Sequence, residues 1–103
     1  MKKAEQAIIN KAALEGVKLY KNAVAVEKVE RLYTCKAYVQ YLDNCIALVS
    51  YNTLVAVFDR ESGKFYDVLR YTYGYTSTSA QHIAKFRNLF RSLITCEYRY
   101  YPI

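Results

Sequence analysis

Tryptophan is absent from this chain, and proline and histidine occur once each, at Pro102 and His82. A lone histidine excludes metal centres built on several imidazoles. The cysteines Cys35, Cys45 and Cys96 show no C-x-x-C spacing, and a zinc site would need all three thiolates plus His82. An odd set of cysteines is also no disulfide framework, so buried, reduced thiols of a cytoplasmic protein are expected. No apolar run approaches the roughly 18 residues of a membrane span, and no membrane partner is expected. Glu5 and Gln6 interrupt any signal-peptide apolar region after the basic start. With three glycines in 103 residues there is no linker, repeat or low-complexity tract. One domain, residues 1–103, is expected, with no cofactor.

What is present is a folding composition: 53% hydrophobic and 23% charged residues, which excludes disorder as the default state. The formal net charge is +6, and a basic excess favours acidic partners, nucleic acid among them. Twelve tyrosines suit half-buried sheets and binding surfaces, because tyrosine joins a rigid apolar body to a polar tip.

Along the chain, alanine, leucine, lysine and glutamate from Lys3 onward predict a helix. It ends at Gly16 or runs on toward Lys21 and Asn22. A strand is expected over residues 23–29, and a half-buried one from Thr34 to Leu42, where Cys35, Ala37, Val39 and Tyr41 alternate with their neighbours. Asp43-Asn44 fits a two-residue hairpin turn, since both residues tolerate positive φ. Residues 45–49 form a short apolar strand that Ser50-Tyr51-Asn52 breaks. Residues 53–59 and 64–70 are strands joined by Arg60-Glu61-Ser62-Gly63, whose glycine takes the left-handed position. An aromatic bend, residues 71–75, follows. Thr78 with Gln81 is a capping-box pattern, opening a helix with Ile83, Phe86, Leu89, Phe90 and Leu93 on its apolar face. Residues 96–101 alternate in polarity as an edge strand. The expected architecture is α+β: an antiparallel meander of four to five strands, an N-terminal helix, and a C-terminal helix packed on one sheet face.

No catalytic constellation stands out. His82 lies beside the helix's apolar face, where a lone histidine is most often structural, hydrogen-bonded to a turn or cap. A Cys–His pair stays open as an enzyme reading, but Cys35 and Cys45 fall within apolar strands, where inert burial is commoner. The serines and threonines at 76–79 lack the glycines of a phosphate loop, so capping outweighs anion binding. Two clusters suit a working surface. One is Arg70, Tyr71, Tyr73 and Tyr75 at the bend; the other is Lys85, Arg87, Arg91, Tyr98, Arg99 and Tyr101, with Tyr100, near the C-terminus. Arginine and tyrosine together anchor protein interfaces or stack on bases and meet phosphates.

Residues 50–56, Ser-Tyr-Asn-Thr-Leu-Val-Ala, and 76–86, Thr-Ser-Thr-Ser-Ala-Gln-His-Ile-Ala-Lys-Phe, resemble a group of small phage and mobile-element proteins. In that group a Ser-Tyr-x-Thr-x-Val-Ala strand precedes a Ser/Thr-rich helix start with a histidine. The likeness spans about residues 50–90; Gln81 stands where a basic residue often precedes the histidine. The resemblance implies a bacterial host cytoplasm. It also implies a non-enzymatic protein that acts stoichiometrically on a host protein or ribonucleoprotein, such as an inhibitor of CRISPR-Cas defence. A small basic nucleic-acid-binding accessory protein is the alternative, and a homodimer through residues 96–101 is left open.

Overall fold

The computed structural model describes residues 3–102. Helix α1 (Lys3–Lys21) leads into five consecutive strands: β1 (Val26–Arg31), β2 (Ala37–Leu42), β3 (Ile46–Ser50), β4 (Thr53–Asp59) and β5 (Lys64–Asp67). A single turn, α2 (Leu69–Thr72), the helix α3 (Ser77–Leu89) and a 3-10 turn over Arg91–Leu93 then precede β6 (Cys96–Arg99). The strands lie in sequence order across one sheet. β1 to β5 pair antiparallel, whereas β6 runs parallel to β5. The chain is therefore α+β as expected, but its sheet is six-stranded and mixed rather than a four- or five-stranded antiparallel meander. Parallel pairing needs a long crossover, and the α2–α3 segment supplies it.

Strand alternation sorts the core into two layers. Register partners Phe58 and Phe65 face α3, where Ile83 and Phe86 join Leu48, Val39 and Ala56. Their neighbours Val57 and Tyr66, also register partners, face α1 and meet Val17, Ala47 and Val68. The two long helices thus cover opposite faces. Gly16 lies inside α1 rather than ending it, and a Cβ there would sit 2.5 Å from Cβ of Tyr66. The glycine is required for close approach of helix to sheet, not for a cap.

The loops account for the other departures. Val24 and Ala25 donate their backbone N–H groups to Oδ1 of Asp43 at 3.1 and 3.4 Å, so β1 starts at Val26 rather than at residue 23. Tyr33 adopts φ of 53° in the β1–β2 loop, which delays β2 to Ala37. Leu42 N–H donates to Cys45 carbonyl at 2.8 Å, closing the expected turn at Asp43-Asn44. Tyr51 and Asn52 both have positive φ, 50° and 67°, so β3 turns back through two residues to pair Ser50 with Thr53.

β5 stops at Asp67 instead of reaching Arg70. The carboxylate of Asp67 accepts from Leu69 N–H at 3.2 Å, a local bond that diverts the chain from the strand into the α2 turn. α3 is capped by Thr76, whose hydroxyl accepts from Ser79 N–H at 3.2 Å; the cap precedes the Thr78–Gln81 pattern by one two-residue step. Leu89 and Leu93, expected on the apolar face, are exposed, because α3 ends at Leu89 and the chain tightens into the 3-10 turn.

Candidate binding surface

The parallel docking of β6 beside β5 brings together the two arginine–tyrosine clusters that are separate in sequence. Asp67 is register partner of Arg99 and Phe65 of Glu97, so Glu97 and Arg99 share the α3 side of the sheet. Nε of Arg99 lies 3.2 Å from Oδ2 of Asp67, and its Nη1 donates to the Tyr101 hydroxyl at 3.2 Å. The guanidinium of Arg70, arriving from α2, stands over two rings, 4.4 Å from the centroid of Tyr75 and 4.6 Å from that of Tyr101. Tyr71 meets Tyr100 edge-on at 5.1 Å, and Tyr73 is 59% exposed. Cation–π contact anchors Arg70, while both rings stay exposed to solvent.

Arg87 on α3 carries this surface toward the end of the helix. Its Nε is 2.6 Å from Oε1 of Glu97, but the N–H is not aimed at that oxygen, and this buried nitrogen has no hydrogen-bond partner among the described residues. The guanidinium also lies over Phe65, 5.4 Å from its centroid. On one side of Arg87 is a hollow of about 160 Å³ lined by Asp67, Arg70, Tyr75 and Arg99 among others. On the other is a hollow of about 430 Å³ lined by Asn88, Arg91, Ile94 and Glu97. Arg70, Arg87, Arg91 and Arg99 thus border one shallow, continuous surface between α3 and β6.

Two expected members turn their side chains elsewhere, although Tyr98 also borders a hollow of about 210 Å³ with Asp67, Arg87, Glu97, Arg99 and Tyr101. Tyr98 is register partner of Tyr66 and stacks on it at 5.7 Å, which puts its ring on the α1 side of the sheet. Lys85 extends toward the β1–β2 loop, its Nζ 3.2 Å from Sγ of Cys35. Alternation along β6 sends Tyr98 to the opposite face, and helical spacing turns Lys85 away from Arg87. Three groups that shape the surface were not anticipated: Asp67, Glu97 and Asn10. Asn10, buried on α1, accepts Tyr101 N–H at 2.9 Å and donates to the Tyr101 carbonyl, fixing the segment that carries the Tyr101 ring. Asp67 reads in sequence as a strand end, and its role is visible only once Arg99 lies opposite. The spacing of Glu97 and Arg99, two apart on a strand, was the available signal.

His82 is at the centre of a separate cluster. Its Nδ1 lies 2.9 Å from Oγ of Ser50, which is 3.1 Å from Oγ of Ser79, and its ring stacks with Tyr51 at 5.8 Å. The two motif segments, residues 50–56 and 76–86, therefore meet here. Burial, aided by the Lys85 charge, pushes the His82 imidazole below its ordinary pKa. Ser50 is only 2% exposed, so the pair ties β3 to α3 and offers no hydroxyl to solvent. Burial likewise pushes the Cys45 thiol up to about 11, which leaves it a protonated, unreactive core group. No cluster of metal-ligating side chains occurs among the described residues, and no described helix is long and apolar enough to cross a membrane.

The fold and this surface define a small domain with helices on both sheet faces and an arginine–tyrosine surface at one sheet edge. No family model, curated protein or solved structure matches the chain.

Proposed function

We propose that this chain is a non-enzymatic binding protein whose working surface is Arg70 with Tyr75, Tyr101, Tyr71 and Tyr73, extended by Arg87, Arg91 and Arg99, and that its partner is a protein. The observation that carries this reading is Arg70 held between the rings of Tyr75 and Tyr101 at 4.4 and 4.6 Å. A pre-ordered arginine flanked by exposed tyrosines is the composition of interface hot spots, and ordering it in the free protein lowers the entropic cost of binding.

The charge pattern favours a protein over nucleic acid. Arg99 is beside Asp67 and Arg87 beside Glu97, so only Arg70 and Arg91 of the four arginines are without an adjacent carboxylate among the described ion pairs. Phosphate contacts draw affinity from uncompensated cations, whereas a protein interface uses arginine for its planar contact area as much as for its charge. The nucleic-acid reading keeps its support in the net charge of +6 and in tyrosine rings able to stack on bases. Stoichiometric action on a host protein or ribonucleoprotein, inhibition of a CRISPR-Cas defence complex included, belongs to the proposal on the strength of the motif resemblance alone.

The test is affinity capture from a bacterial lysate with and without nuclease, using the wild type, Arg70→Ala, Tyr75→Ala and Lys85→Ala. The expected result is a protein captured by the wild type and Lys85→Ala, surviving nuclease and about 0.3 M salt, and lost with Arg70→Ala and Tyr75→Ala. Capture abolished by nuclease or by salt moves the assignment to nucleic acid. Capture indifferent to Arg70 and Tyr75 removes the surface from consideration.

A further inference from the structure

We propose that this chain pairs with a second copy of itself through β1, edge to edge and antiparallel, in the register centred on Val29. β1 is the outer strand of the sheet beside β2, and every one of its residues is exposed. Its outward backbone N–H and C=O groups form a template for another strand. Val26 and Val29 are 52% and 53% exposed, which gives an added strand an apolar contact as well.

The strand reads Val26-Glu27-Lys28-Val29-Glu30-Arg31. Two copies related by a two-fold axis at Val29 place Lys28 opposite Glu30 of the second copy, and Glu30 opposite its Lys28. Val29 then meets Val29, and Arg31 meets Glu27. Residues directly opposite share a face in antiparallel pairs, so every pair but the apolar Val29–Val29 one is a cross-strand contact between opposite charges.

Neighbouring registers fail this test. Centring on Lys28 or on Glu30 sets like charges opposite each other at the axis. Centring between Lys28 and Val29 opposes Glu27 to Glu30, and centring between Val29 and Glu30 opposes Lys28 to Arg31. The charges that deter indiscriminate pairing at an edge therefore select one self-complementary arrangement.

The side chains are placed for it. Nζ of Lys28 and Oε1 of Glu30 are 2.6 Å apart on the exposed strand, so both charged ends already lie together on one face and can exchange partners across the axis. Arg31 gives Nε–H to Cys35 carbonyl and one Nη2–H to Thr34 carbonyl at 2.9 and 3.3 Å, leaving further N–H groups for Glu27. A register irregularity between Val26 and Lys28 leaves Lys28 to Arg31 regular, so the two Lys28–Glu30 pairs and the Val29 pair at the axis carry the register, and the Arg31–Glu27 pairs flank them at the irregular end. The strand's four charges cancel, so β1 is a neutral segment in a chain of net charge +6, whose general self-repulsion it does not share. A contact of this size belongs to the weak, reversible class.

The test is sedimentation equilibrium of the full chain up to about 1 mM, with two double variants. Lys28→Glu with Arg31→Glu makes the edge acidic, and Glu27→Lys with Glu30→Lys makes it basic. All four positions are exposed, and far-UV circular dichroism verifies folding. The wild type is expected to dimerise reversibly, each variant to dimerise at least about tenfold more weakly, and their equimolar mixture to recover a heterodimer. A monomeric wild type over that range overturns the proposal. A dimer unmoved by both variants, as one through β6 would be, also overturns it, and so does a mixture that stays monomeric.

Discussion

The two edges of the sheet are built on opposite principles. β1 is held by a strand adjacent in sequence, through a hairpin closed by Leu32 N–H donating to Ala37 carbonyl at 2.8 Å. All its side chains are exposed. β6 arrives after the α2–α3 crossover and is fastened by groups distant in sequence. Thr95 N–H donates to Gly63 carbonyl at 2.8 Å and Tyr100 N–H to Asp67 carbonyl at 3.0 Å. Arg99 reaches Asp67, and Asn10 grips Tyr101 from α1. Local closure leaves an edge free to accept another strand. Non-local fastening lets an edge hold aromatic and guanidinium groups in fixed geometry, and the arginine–tyrosine surface therefore lies at β6.

This contrast can be broken first at Asp67. Its buried carboxylate serves both Leu69 N–H and Arg99, and Asp67→Ala leaves the buried donor unpaired. Stability is expected to fall by about 2 kcal/mol, with little of the loss from Arg99, whose side chain is 45% exposed and can return to water. A urea midpoint within error of the wild type would show that the β6 edge needs no carboxylate.

Asn10→Ala comes next. The released Tyr101 backbone can bond to water, so the expected loss is about 1 kcal/mol, but amide hydrogen exchange should accelerate at Tyr98 and Tyr100 while β2 and β3 amides keep their protection. Val29→Ala on β1 is the matched control and should cost under about 0.5 kcal/mol. Equal acceleration at both edges in the Asn10 variant would dissolve the distinction.

The smallest effect is a pH dependence at His82, which belongs to neither edge. Burial first, and the Lys85 charge second, lower its folded pKa from the ordinary value of 6.5. Between the two values the unfolded chain binds a proton that the native state does not, so stability rises with pH there. It should decline as pH falls through 6.5 and be independent of this group well above it. Urea midpoints between about pH 7.5 and 6 should show a shallower decline in His82→Asn; an unchanged slope would place the titrating group elsewhere.

Much of the fold is legible along the chain because its signals are local. β4 occupies residues 53–59 as the alternation indicates, Gly63 takes φ of 77° in the following turn, and α1 runs to Lys21, the longer of the two ends considered. Where local chemistry is double-valued, tertiary partners decide. Gly16 is an acceptable helix end by propensity, yet it lies inside the helix, where the nearness of Tyr66 leaves no room for a side chain. The helix start at 76–79 offers several hydroxyl caps, and Thr76 is the one used.

The candidate surface divides in the same way. Arginine and tyrosine are concentrated at residues 70–75 and 85–101; Arg70, Tyr75, Arg87, Arg91, Arg99 and Tyr101 line the hollows beside α3 and β6, Tyr71 meets Tyr100, and Tyr73 is exposed on the bend. The Tyr98 ring and the Lys85 side chain point away because a strand's two faces and a helix's sides cannot be told apart until the pairing partner is known.

The sequence by itself determined the class of structure and the exposed tyrosines of the bend, since hydrophobic period and turn chemistry act over a few residues; the expected burial of the thiols holds for Cys45, whereas Cys35 is half-buried and Cys96 exposed. Only the tertiary structure decided that β6 lies parallel to β5, that Asp67 answers Arg99, and that Arg70 rests between Tyr75 and Tyr101. Those pairings join residues up to about thirty positions apart, and their stability comes from a geometry that exists only after the crossover has closed.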